Sequence, residues 1–494
     1  MQTRQVMLSD CLGWLAQTEA FDVVVSGITL DSRAVNDGDL FIAVKGLVVD
    51  GRAFIEQAFS HGARVCFRQA ESRGVQRLEQ CWIIDVPKLD ELLSEIASCF
   101  FDKPSNKMSV IGVTGTNGKT TVSQLLGQAF FHEGRVASVI GTAGNGVWPQ
   151  LETSTHTTPD AVSLQRLFYE FELLNSDIVA MEVSSHGLDQ GRVREIDFDV
   201  AVFTNLTRDH LDYHGSMEAY SDAKALLFQG PNLKTSVINL DDEFGVELLS
   251  KACGNTVSFS ITNPSADVYC KKYSLSKAGV TLDVSTPWGE ASLSSPLIGR
   301  FNISNLLAVI SVLGSFEISL DVISELTPKL ESVAGRMELL GYGHTPTVIV
   351  DYAHTGDALE KALLAVKEHC HGKVTCVFGC GGDRDTGKRS EMGRIAERIA
   401  DSVVVTNDNP RTEDADKIIE DITSGLVSPE LVLVEKNREE AIRLAVHAAG
   451  PDDWVVVAGK GHEDYQDVNG IKYPFSDIEK SNLALSEYPV NEIE

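Results

Sequence analysis

Residues 111–121 read IGVTGTNGKTT, an apolar strand end followed by a glycine-rich turn and then by Lys119, Thr120 and Thr121. This order of residues suits the binding of a nucleoside triphosphate. The glycines let backbone N–H groups surround phosphate oxygens, and Lys119 brings a positive charge to the β- and γ-phosphates. A hydroxyl that follows the lysine at the start of a helix can bind Mg²⁺. The stretch therefore predicts a phosphate loop for ATP.

The spacing of the glycines differs from that of the common phosphate loop. In the common form a glycine stands five positions before the second one, and this chain has Val113 there. The glycines that it does have are Gly112, Gly115 and Gly118. An ordinary glycine turn is the alternative interpretation. The flanks favour the phosphate loop, because 109–113 is predicted as an apolar strand and 120–131 has helical periodicity.

Length, composition and charge limit the class of protein. A chain of 494 residues with 43% hydrophobic residues suggests about three globular domains. The formal net charge of −29 argues against a nucleic-acid partner, which requires a broad basic face. Anionic substrates would then be bound by local lysines and arginines.

Cellular location is predicted from three further features of the chain. Nine cysteines without paired CxxC motifs favour reduced thiols over a disulfide framework or a zinc site. Cys376 and Cys380 are interpreted as packing residues. The N-terminus shows no signal peptide, and no stretch reaches the ~20 apolar residues of a membrane span. These features predict a cytoplasmic protein.

The pattern of strands and helices predicts an α/β chain of three domains. A mixed α/β domain covers residues 1–104, and a polar segment that contains Pro104 ends it. A central domain, 105–337, has the parallel sheet of a phosphate-loop ATPase, with a β-rich insert near 267–294. The third domain, 338–494, alternates strands and helices as a doubly wound, Rossmann-like sheet does.

Three predicted strands of the central domain end in polar residues. Strand 109–113 leads into the phosphate loop, strand 177–183 carries Glu182, and strand 198–204 precedes His210. In open α/β sheets, ligands bind beyond the carboxyl ends of the strands. The three strand ends therefore predict one site for a metal ion and phosphate.

Each candidate metal ligand has a second interpretation. Mg²⁺ prefers oxygen ligands, which suits Glu182, although Glu182 could also be a solvated loop acid. His210 taken alone is more typical of a hydrogen-bonded core histidine. Lys224 lies on a predicted helix, where an amphipathic lysine usually extends its amine into water. A lysine with a lowered pKa could instead react with CO₂ and become an anionic metal ligand.

Two polar loops follow strands near the C-terminus. Residues 378–385 read FGCGGDRD, which is not a dinucleotide fingerprint because Arg384 occupies the third glycine position. NAD binding is therefore disfavoured. Arg384 could bind a carboxylate in a planar fork, or simply be a surface arginine. The second loop, 408–411, reads DNPR and is equally well explained by an Asn-Pro turn capped by Asp408.

Together these motifs resemble the Mur ligase family, the ATP-dependent amide ligases of peptidoglycan synthesis. The similarity runs from TLDSR at 29–33 to GKGHED at 459–464. The motifs in between are GTNGKTT, MEVSSHGL at 181–188, TNLTRDHLDYHG at 204–215, FNISN at 301–305, GRME at 335–338, DYAHT at 351–355, GGDRD and DNPR. Their common order along the chain makes the resemblance specific.

The resemblance implies a role for each matching residue. ATP would be bound by Gly115, Thr116, Asn117, Gly118, Lys119, Thr120, Thr121, Asn302, Asn305, Arg336, Asp351 and His354. The UDP-MurNAc-dipeptide would contact Leu30, Ser32, Thr157, Thr158, Ser184, Gln190 and Arg192. Mg²⁺ would be held by Thr120, Glu182, His210 and Lys224 as its carbamate, and Lys119, Glu182, His210 and Lys224 would be the catalytic residues.

The resemblance also implies the amino acid that is added. Its ligands would be Arg384, Asp408, Asn409, Pro410, Arg411, Gly459 and Glu463. Arg411 favours meso-diaminopimelate, because a guanidinium can bind the second carboxylate of this diamino acid and L-lysine has none. The expected reaction passes through an acyl phosphate of the D-glutamate γ-carboxylate. The enzyme is expected to act as a monomer, with contacts to uracil near Leu47–Val49.

Three alternatives stay open at the level of the sequence. A folylpolyglutamate synthetase shares the phosphate loop and the amide chemistry, although TLDSR and DNPR speak against it. A switch or motor ATPase would use the same loop for conformational work. A binding protein without catalytic activity is the third. Phosphate release that depends on both a UDP-linked peptide and an amino acid would exclude the switch or motor ATPase. Loss of ATP turnover in Lys119→Ala would argue against the binding protein.

Overall fold

The computed structural model describes residues 5–18, 23–46, 49–154, 156–341 and 343–489. The chain divides into two units, Met1–Ser258 and Phe259–Glu494, and each is described by itself. Leu47 and Val48, two residues of the loop expected to approach uracil, lie outside the described residues.

The first unit contains a small antiparallel pair and a five-stranded sheet. The pair is β1 (Val6–Met7) and β2 (Val24–Val25). The sheet consists of β3 (Ile28–Thr29), β4 (Leu40–Ala43), β5 (Val65–Ala70), β6 (Gly74–Leu78) and β7 (Cys81–Pro87). The order in the sheet is β3-β4-β5-β7-β6, and only β6 runs antiparallel to its neighbour. This part of the chain therefore has the mixed α/β character that was predicted.

Three α-helices accompany this sheet: α1 (Leu8–Cys11), α2 (Ile55–Ser60) and α3 (Leu89–Phe101). On α3, Ile96 and Phe100 stand four residues apart and are both buried, as expected for the inward face of an amphipathic helix. The helix ends at Asp102, whose φ of 62° lies in the left-handed region that commonly closes helices.

A second sheet of the first unit carries the phosphate loop. Its strands are β8 (Ser109–Thr114), β9 (Ala137–Gly141), β10 (Gly144–Val147), β11 (Ile178–Glu182), β12 (Val200–Phe203) and β13 (Thr235–Asn239). Their order is β10-β9-β11-β8-β12-β13, with all neighbours parallel except β10 and β9. Strand β8 lies between β11 and β12, so the three predicted strand ends meet at one edge.

Six helices belong to this part of the first unit: α4 (Lys119–Glu133), α5 (Ala161–Leu173), α6 (Ser185–Asp189), α7 (Leu211–His214), α8 (Met217–Ala225) and α9 (Glu243–Leu249). Helix α4 begins directly after the phosphate loop, where Gly118 has a φ of 85°, and ends at Gly134 with a φ of 98°. Glycine adopts such angles without a steric cost. The predicted helix at 120–131 is therefore confirmed.

The second unit begins with the β-rich insert predicted near 267–294. Strand β14 (Asn255–Ser260) leads into it, and the insert itself comprises β15 (Val268–Ser276), β16 (Gly279–Thr286) and β17 (Gly289–Ser295). The last two residues of β14 pair with β15, and the three insert strands form an antiparallel meander. Helices α10 (Arg300–Ser315) and α11 (Leu320–Leu326) follow.

The rest of the second unit is a doubly wound sheet. Its strands are β18 (Glu338–Leu340), β19 (Thr347–Asp351), β20 (Val374–Phe378), β21 (Ser402–Val405), β22 (Leu433–Val434) and β23 (Trp454–Ala458), in the order β18-β19-β23-β20-β21-β22. In this sheet β18 runs antiparallel to β19, and the other neighbouring strands are parallel. Ile349 packs into one apolar cluster, while Val348 and Val350 pack into another. Alternate side chains therefore fill the cores on the two faces of the sheet.

Five helices cover the two faces: α12 (Gly356–His369), α13 (Gly387–Ile399), α14 (Ala415–Thr423), α15 (Arg438–Ala448) and α16 (Asp477–Ser486). A hairpin of β24 (Tyr465–Val468) and β25 (Ile471–Pro474) follows β23. Cys376 and Cys380 are buried, as the packing interpretation predicted. The predicted fold class is confirmed, and the domain boundaries at 104/105 and 337/338 stay predictions.

Within the described part of the chain, none of the helices combines the length and the apolar character needed to cross a bilayer.

Candidate active site

The phosphate loop is held in place by the residues that follow β12. The backbone N–H of Thr116 donates to the carbonyl of Asn205 at 2.8 Å, and that of Asn117 donates to the Asn205 side-chain oxygen at 2.9 Å. Gly115 has a φ of 149°, and a Cβ at this position would lie 1.9 Å from Oγ1 of Thr204. Only glycine fits this close approach, so the loop needs Gly115 for its shape.

Lys119 folds back over the loop from which it starts. Its Nζ donates to the carbonyl oxygens of Gly115, at 2.8 Å, and Thr116, at 2.9 Å. Burial lowers the pKa of Lys119, and the nearby carboxylate of Glu182 acts in the opposite direction. Both hydrogen-bond partners are neutral carbonyls, so an anionic ligand would be a stronger partner for this amine.

Glu182 lies buried at the end of β11 and is joined to the start of α4. Oε2 accepts a hydrogen bond from Oγ1 of Thr120 at 2.8 Å, and Oε1 accepts one from the backbone N–H of Thr142 at 2.6 Å. Burial raises the pKa of Glu182, while Lys119 and these hydrogen bonds lower it. With the side chain 1% exposed, the solvated-acid interpretation is wrong.

Lys224 reaches the same loop from α8. The residue is 1% exposed, and Nζ donates to the carbonyl of Gly115 at 2.9 Å. Nζ also lies 4.4 Å from the centre of the Tyr220 ring. Burial, reinforced by the charge of Lys119, lowers the pKa of Lys224 to about 6. The amine therefore does not extend into water, as an ordinary amphipathic lysine would.

Tyr220 is a residue of this site that the sequence motifs did not single out. Its ring is buried, and its hydroxyl lies 3.1 Å from Oγ1 of Thr116 in the phosphate loop. It stands four residues before Lys224 on α8, which places both side chains on one face of the helix. This spacing was the only signal for Tyr220 in the sequence.

His210 lies at the rim of the site and is partly exposed. Its Nε2 is 3.5 Å from Oδ2 of Asp209, and its ring packs edge-on against His186 with centres 4.9 Å apart. The ring of Tyr220 is 6.1 Å away, centre to centre. The contacts of His210 are thus with these neighbours rather than with Glu182. No three acidic, histidine or cysteine side chains form a metal-binding cluster in the described ranges.

Four of the five central-domain residues expected to contact the UDP-linked dipeptide form one network. Arg192 donates through Nη1 to the carbonyl of Thr158 at 2.7 Å and through Nη2 to Oε1 of Gln190 at 2.6 Å. Oγ1 of Thr158 accepts from the backbone N–H of Ser184 at 2.9 Å. The fifth residue, Thr157, has its Oγ1 3.1 Å from that of Thr142. Burial lowers the pKa of Arg192.

Leu30 and Ser32 line a separate cavity of about 480 Å³ beside the five-stranded sheet. Oγ of Ser32 donates to Oε1 of Gln57 at 2.9 Å, and Gln57 lines the same cavity. Val49, the described residue of the loop expected near uracil, also lines it and is 57% exposed. The cavity combines apolar walls with a few polar groups, as small-molecule sites usually do.

The second unit brings most of the expected acceptor residues together. Asn409 donates through Nδ2 to Oε2 of Glu463 at 2.8 Å. A Cβ on Gly459 would lie 2.6 Å from Oδ2 of Asp408, so Gly459, with a φ of 124°, allows this approach. Pro410 is buried beside them. The ends of β21 and β23 therefore bring these residues into one site.

The two arginines expected at the acceptor site differ in their surroundings. Arg411 has a φ of 52°, and its Nη1 donates to the carbonyl of Gly382 at 2.7 Å. One edge of its guanidinium is thereby tied to the GGDRD loop. Arg384 lies on that loop and is exposed. The structure therefore holds Arg411 near the acceptor residues and leaves Arg384 at the surface.

Lys460 is a second residue that the sequence motifs did not single out. It is fully buried, and Nζ donates to Oδ1 of Asn409 at 2.9 Å and to Oε2 of Glu463 at 3.2 Å. It belongs to the GKGHED motif, between Gly459 and Glu463. The motif was therefore the available signal, but spacing alone could not show which way this lysine points.

The remaining residues expected to serve the nucleotide also lie in the second unit. Nδ2 of Asn305 donates to Oδ1 of Asn302 at 2.9 Å on α10. Asp351 is buried and accepts hydrogen bonds from two backbone N–H groups, while burial raises its pKa. The guanidinium of Arg336 stacks 4.7 Å from the centre of the Tyr352 ring. Nδ1 of His354 lies 2.9 Å from the carbonyl of Tyr352.

The fold and these sites define an α/β protein with a phosphate loop and a second site on a doubly wound sheet. Three family models match in sequence: the Mur ligase family catalytic domain at residues 24–100, the Mur ligase middle domain at 113–313, and the Mur ligase glutamate ligase domain at 335–461. The chain therefore belongs to the Mur ligase family.

Two sequence relatives and one solved structure share a name. A protein of Ectopseudomonas mendocina (strain ymp), named UDP-N-acetylmuramoyl-L-alanyl-D-glutamate–2,6-diaminopimelate ligase, is 50% identical over 467 residues, which cover 94% of this chain and 96% of that protein. A protein of the same name from Pseudomonas aeruginosa is 48% identical, over 95% and 96%. A solved structure described by this name matches with a TM-score of 0.76 and 34% identity, over 98% of this chain and 99% of that one.

Proposed function

We propose that this chain is an ATP-dependent ligase that joins meso-diaminopimelate to the D-glutamate γ-carboxylate of UDP-MurNAc-L-Ala-D-Glu. The observation that carries the proposal is the similarity, 50% identity over 94% of the chain, to a protein named for this activity. The convergence of Lys119, Lys224 and Glu182 at the phosphate loop supports it. The product is a precursor of peptidoglycan, so the enzyme serves cell-wall synthesis and thereby cell shape and division.

ATP binds through its phosphates to the loop from Gly115 to Thr121. Lys119 exchanges its two carbonyl partners for the β- and γ-phosphate oxygens, because charged partners form the stronger hydrogen bonds. In the second unit, Asn302, Asn305, Arg336, Asp351 and His354 contact the nucleotide. The loop amides and Lys119 stabilise the negative charge on the transferred phosphoryl group.

Mg²⁺ fits the oxygen groups of this site. The Thr120 hydroxyl and the Glu182 carboxylate already lie within 2.8 Å of each other, and both are the hard oxygen ligands that Mg²⁺ prefers. His210 and Lys224, as its carbamate, would complete the set of protein ligands. When bound, Mg²⁺ neutralises charge on phosphate oxygens. Because Mg²⁺ usually keeps waters and substrate phosphates as ligands, a complete protein cage is not required.

Lys224 is suited to become a carbamate. With a pKa of about 6, its amine is largely unprotonated at neutral pH, and only this form is nucleophilic. The amine nitrogen forms a bond to the carbon of CO₂ and releases a proton. The product is an anion, formed at the nitrogen that now donates to the Gly115 carbonyl and keeping one N–H for that bond.

The reaction takes place in two steps. An oxygen of the D-glutamate γ-carboxylate attacks the γ-phosphorus of ATP, ADP leaves, and an acyl phosphate forms. The amine of diaminopimelate then attacks the acyl carbon, orthophosphate leaves, and the amine loses a proton. Holding the reactants in register supplies much of the acceleration, since the protein contributes little covalent chemistry of its own.

The UDP-linked substrate spans the first unit. Its uridine end occupies the cavity with Leu30 and Ser32, and its dipeptide end meets the network of Thr157, Thr158, Ser184, Gln190 and Arg192. Arg192 is the cation of this network and suits an anionic substrate. Diaminopimelate binds in the second unit, where Asp408 and Glu463 receive its ammonium groups and Asn409 donates to a carboxylate. Arg411, with Arg384, receives the distal carboxylate.

We also propose that the enzyme acts in the cytoplasm as a monomer, and that its domains are 1–104, 105–337 and 338–494. The function is tested by incubating the purified protein with ATP, Mg²⁺ and UDP-MurNAc-L-Ala-D-Glu, and with either meso-diaminopimelate or L-lysine. Mass measurement of the products should find the tripeptide only with diaminopimelate. Equal use of L-lysine would contradict the acceptor assignment. ATP hydrolysis indifferent to both co-substrates would instead favour a switch or motor ATPase.

A further inference from the structure

Lys460 occupies an unusual place behind the acceptor residues of the second unit. Its side chain is fully buried, and it lies between Gly459 and Gly461, which have φ angles of 124° and 54°. Residues other than glycine rarely adopt such φ angles, so the two glycines let the backbone turn sharply after β23. The turn directs the lysine inward rather than toward solvent.

The ammonium group of Lys460 joins two side chains that come from different loops. Nζ donates to Oδ1 of Asn409 at 2.9 Å and to Oε2 of Glu463 at 3.2 Å. Its Nζ also lies 5.6 Å from the centre of the Tyr465 ring. A buried charge needs such partners, because it has lost its contact with water.

These contacts fix the orientation of the Asn409 amide. Oδ1 accepts hydrogen bonds from Lys460 and from the backbone N–H of Asp467, at 2.9 Å each. Nδ2 donates to Oε2 of Glu463 at 2.8 Å. A rotated amide would place its NH₂ group against two donors, so the observed orientation is the only one that satisfies all three groups.

The same contacts give the two oxygens of the Glu463 carboxylate different surroundings. Oε2 accepts from both Asn409 and Lys460, whereas Oε1 has no hydrogen-bond partner among the residues that the structure describes. The side chain of Glu463 is 21% exposed, while that of Lys460 is 0% exposed. Oε1 is therefore the atom of this group that can meet an incoming ammonium, and Lys460 itself cannot reach the ligand.

We infer that Lys460 is a positioning residue for the acceptor amino acid, acting through Asn409 and Glu463. The inference rests on the proposed function, because it takes these two residues as ligands of diaminopimelate. Lys460 holds one oxygen of the Glu463 carboxylate and sets the Asn409 amide. The other carboxylate oxygen then faces the ammonium end of the substrate, and the remaining amide N–H can donate to a substrate carboxylate.

The chain offers a matched control for this role. Lys472 also packs on the Tyr465 ring, with Nζ 3.9 Å from the ring centre, but it is exposed and, among the described residues, bonds to neither Asn409 nor Glu463. Lys472→Met removes a lysine from the same aromatic ring and keeps the acceptor contacts. Lys460→Met removes those contacts with a side chain of similar length.

The KM for diaminopimelate should rise about 10- to 100-fold in Lys460→Met, the range expected for hydrogen bonds to charged groups, and stay unchanged in Lys472→Met. The KM values for ATP and the UDP-linked dipeptide should change less than about 3-fold, since these bind to other residues. An unchanged KM for diaminopimelate would overturn the inference. If Lys460→Met does not fold, Lys460→Gln is measured by the same criterion.

An assay with hydroxylamine separates a positioning role of Lys460 from a general loss of catalytic activity. This small nucleophile can capture the acyl phosphate without the acceptor site, so Lys460→Met should form hydroxamate at the wild-type rate. An equal loss of hydroxamate and tripeptide would overturn the inference. In the Glu463→Gln background, Lys460→Met should cost less than about 3-fold, whereas a fully additive loss would overturn action through Glu463. A wild-type protein that forms neither product would instead defeat the proposed function.

Discussion

The two sites of the chain use buried lysines in different ways. In the first unit, Lys119 and Lys224 both donate to the carbonyl of Gly115. In the second unit, Lys460 donates to the side chains of Asn409 and Glu463. A neutral carbonyl is a weaker partner for an amine than a carboxylate is. The first pair can therefore leave its partners for a ligand or a reaction, whereas Lys460 stays in place and positions others.

The largest test of this contrast is Lys119→Ala. If the lysine leaves its carbonyls for phosphate, its loss should lower kcat by about 10³-fold or more, as removal of a charge-stabilising group usually does. Phosphate release in the presence of all three substrates is the measurement. Lys251→Ala, an exposed lysine of the first unit, is the control and should behave like wild type. A near-normal kcat in Lys119→Ala would contradict the proposal that this lysine leaves its carbonyl partners to bind phosphate.

In the second unit the largest effect is expected at Arg411. Because one edge of its guanidinium is tied to Gly382, the other edge is available for a carboxylate. Arg411→Ala should lower kcat/KM for diaminopimelate about 100-fold without creating or removing activity with L-lysine. Competition between the two amino acids, read as product masses, measures this. Arg398→Ala removes an exposed ion pair with Glu360 and serves as the control. Equal losses with both amino acids would contradict the assignment.

The sequence predicted the first site better than the second, and the reason is physical. The strand, loop and helix at 109–133 are contiguous, so spacing alone identifies the phosphate loop and the end of β8. Parallel strands then place Glu182 at the same edge. The positions of Tyr220 and Lys460 depend on contacts between distant segments, such as the bond from Lys460 to Asn409, which is 51 residues away. No local periodicity encodes such contacts.

Lys224 also shows that local sequence patterns do not reveal tertiary contacts. Its helix was predicted, but the sequence favoured an amine in water, whereas the structure buries it beside Tyr220 and the phosphate loop. Helical spacing tells which residues share a face, not what that face meets. The GKGHED motif likewise indicated a site without showing that its lysine lies behind the ligands rather than among them.

Stability should depend on pH through Lys224. Its pKa is about 6 in the folded chain against an ordinary 10.5, so between these values unfolding takes up a proton. The free energy of unfolding should therefore rise with pH in this window, by about 1.4 kcal/mol per pH unit from this group. Denaturant unfolding at about pH 7 and pH 9, without CO₂ or substrates, should show a shallower slope in Lys224→Met. Identical slopes would mean that the amine is charged when folded.

The smallest effect is expected from Tyr220→Phe. The variant loses the hydrogen bond between the hydroxyl and Thr116 but keeps the ring that packs on Lys224. The KM for ATP should rise about 2- to 10-fold, the value of one neutral hydrogen bond, with kcat nearly unchanged. Tyr473→Phe, at an exposed tyrosine, is the control. A loss as large as that of Lys119→Ala would mean that the hydroxyl takes part in the chemistry.

The central claim is that the γ-carboxylate of the peptide is phosphorylated before the amine attacks it. The most direct measurement uses UDP-MurNAc-L-Ala-D-Glu labelled with ¹⁸O in that carboxylate and follows the label through one turnover with ATP and diaminopimelate. One labelled oxygen should appear in the released orthophosphate, and one should stay in the new amide. Orthophosphate without label would contradict an acyl phosphate, and with it the role proposed for the phosphate loop.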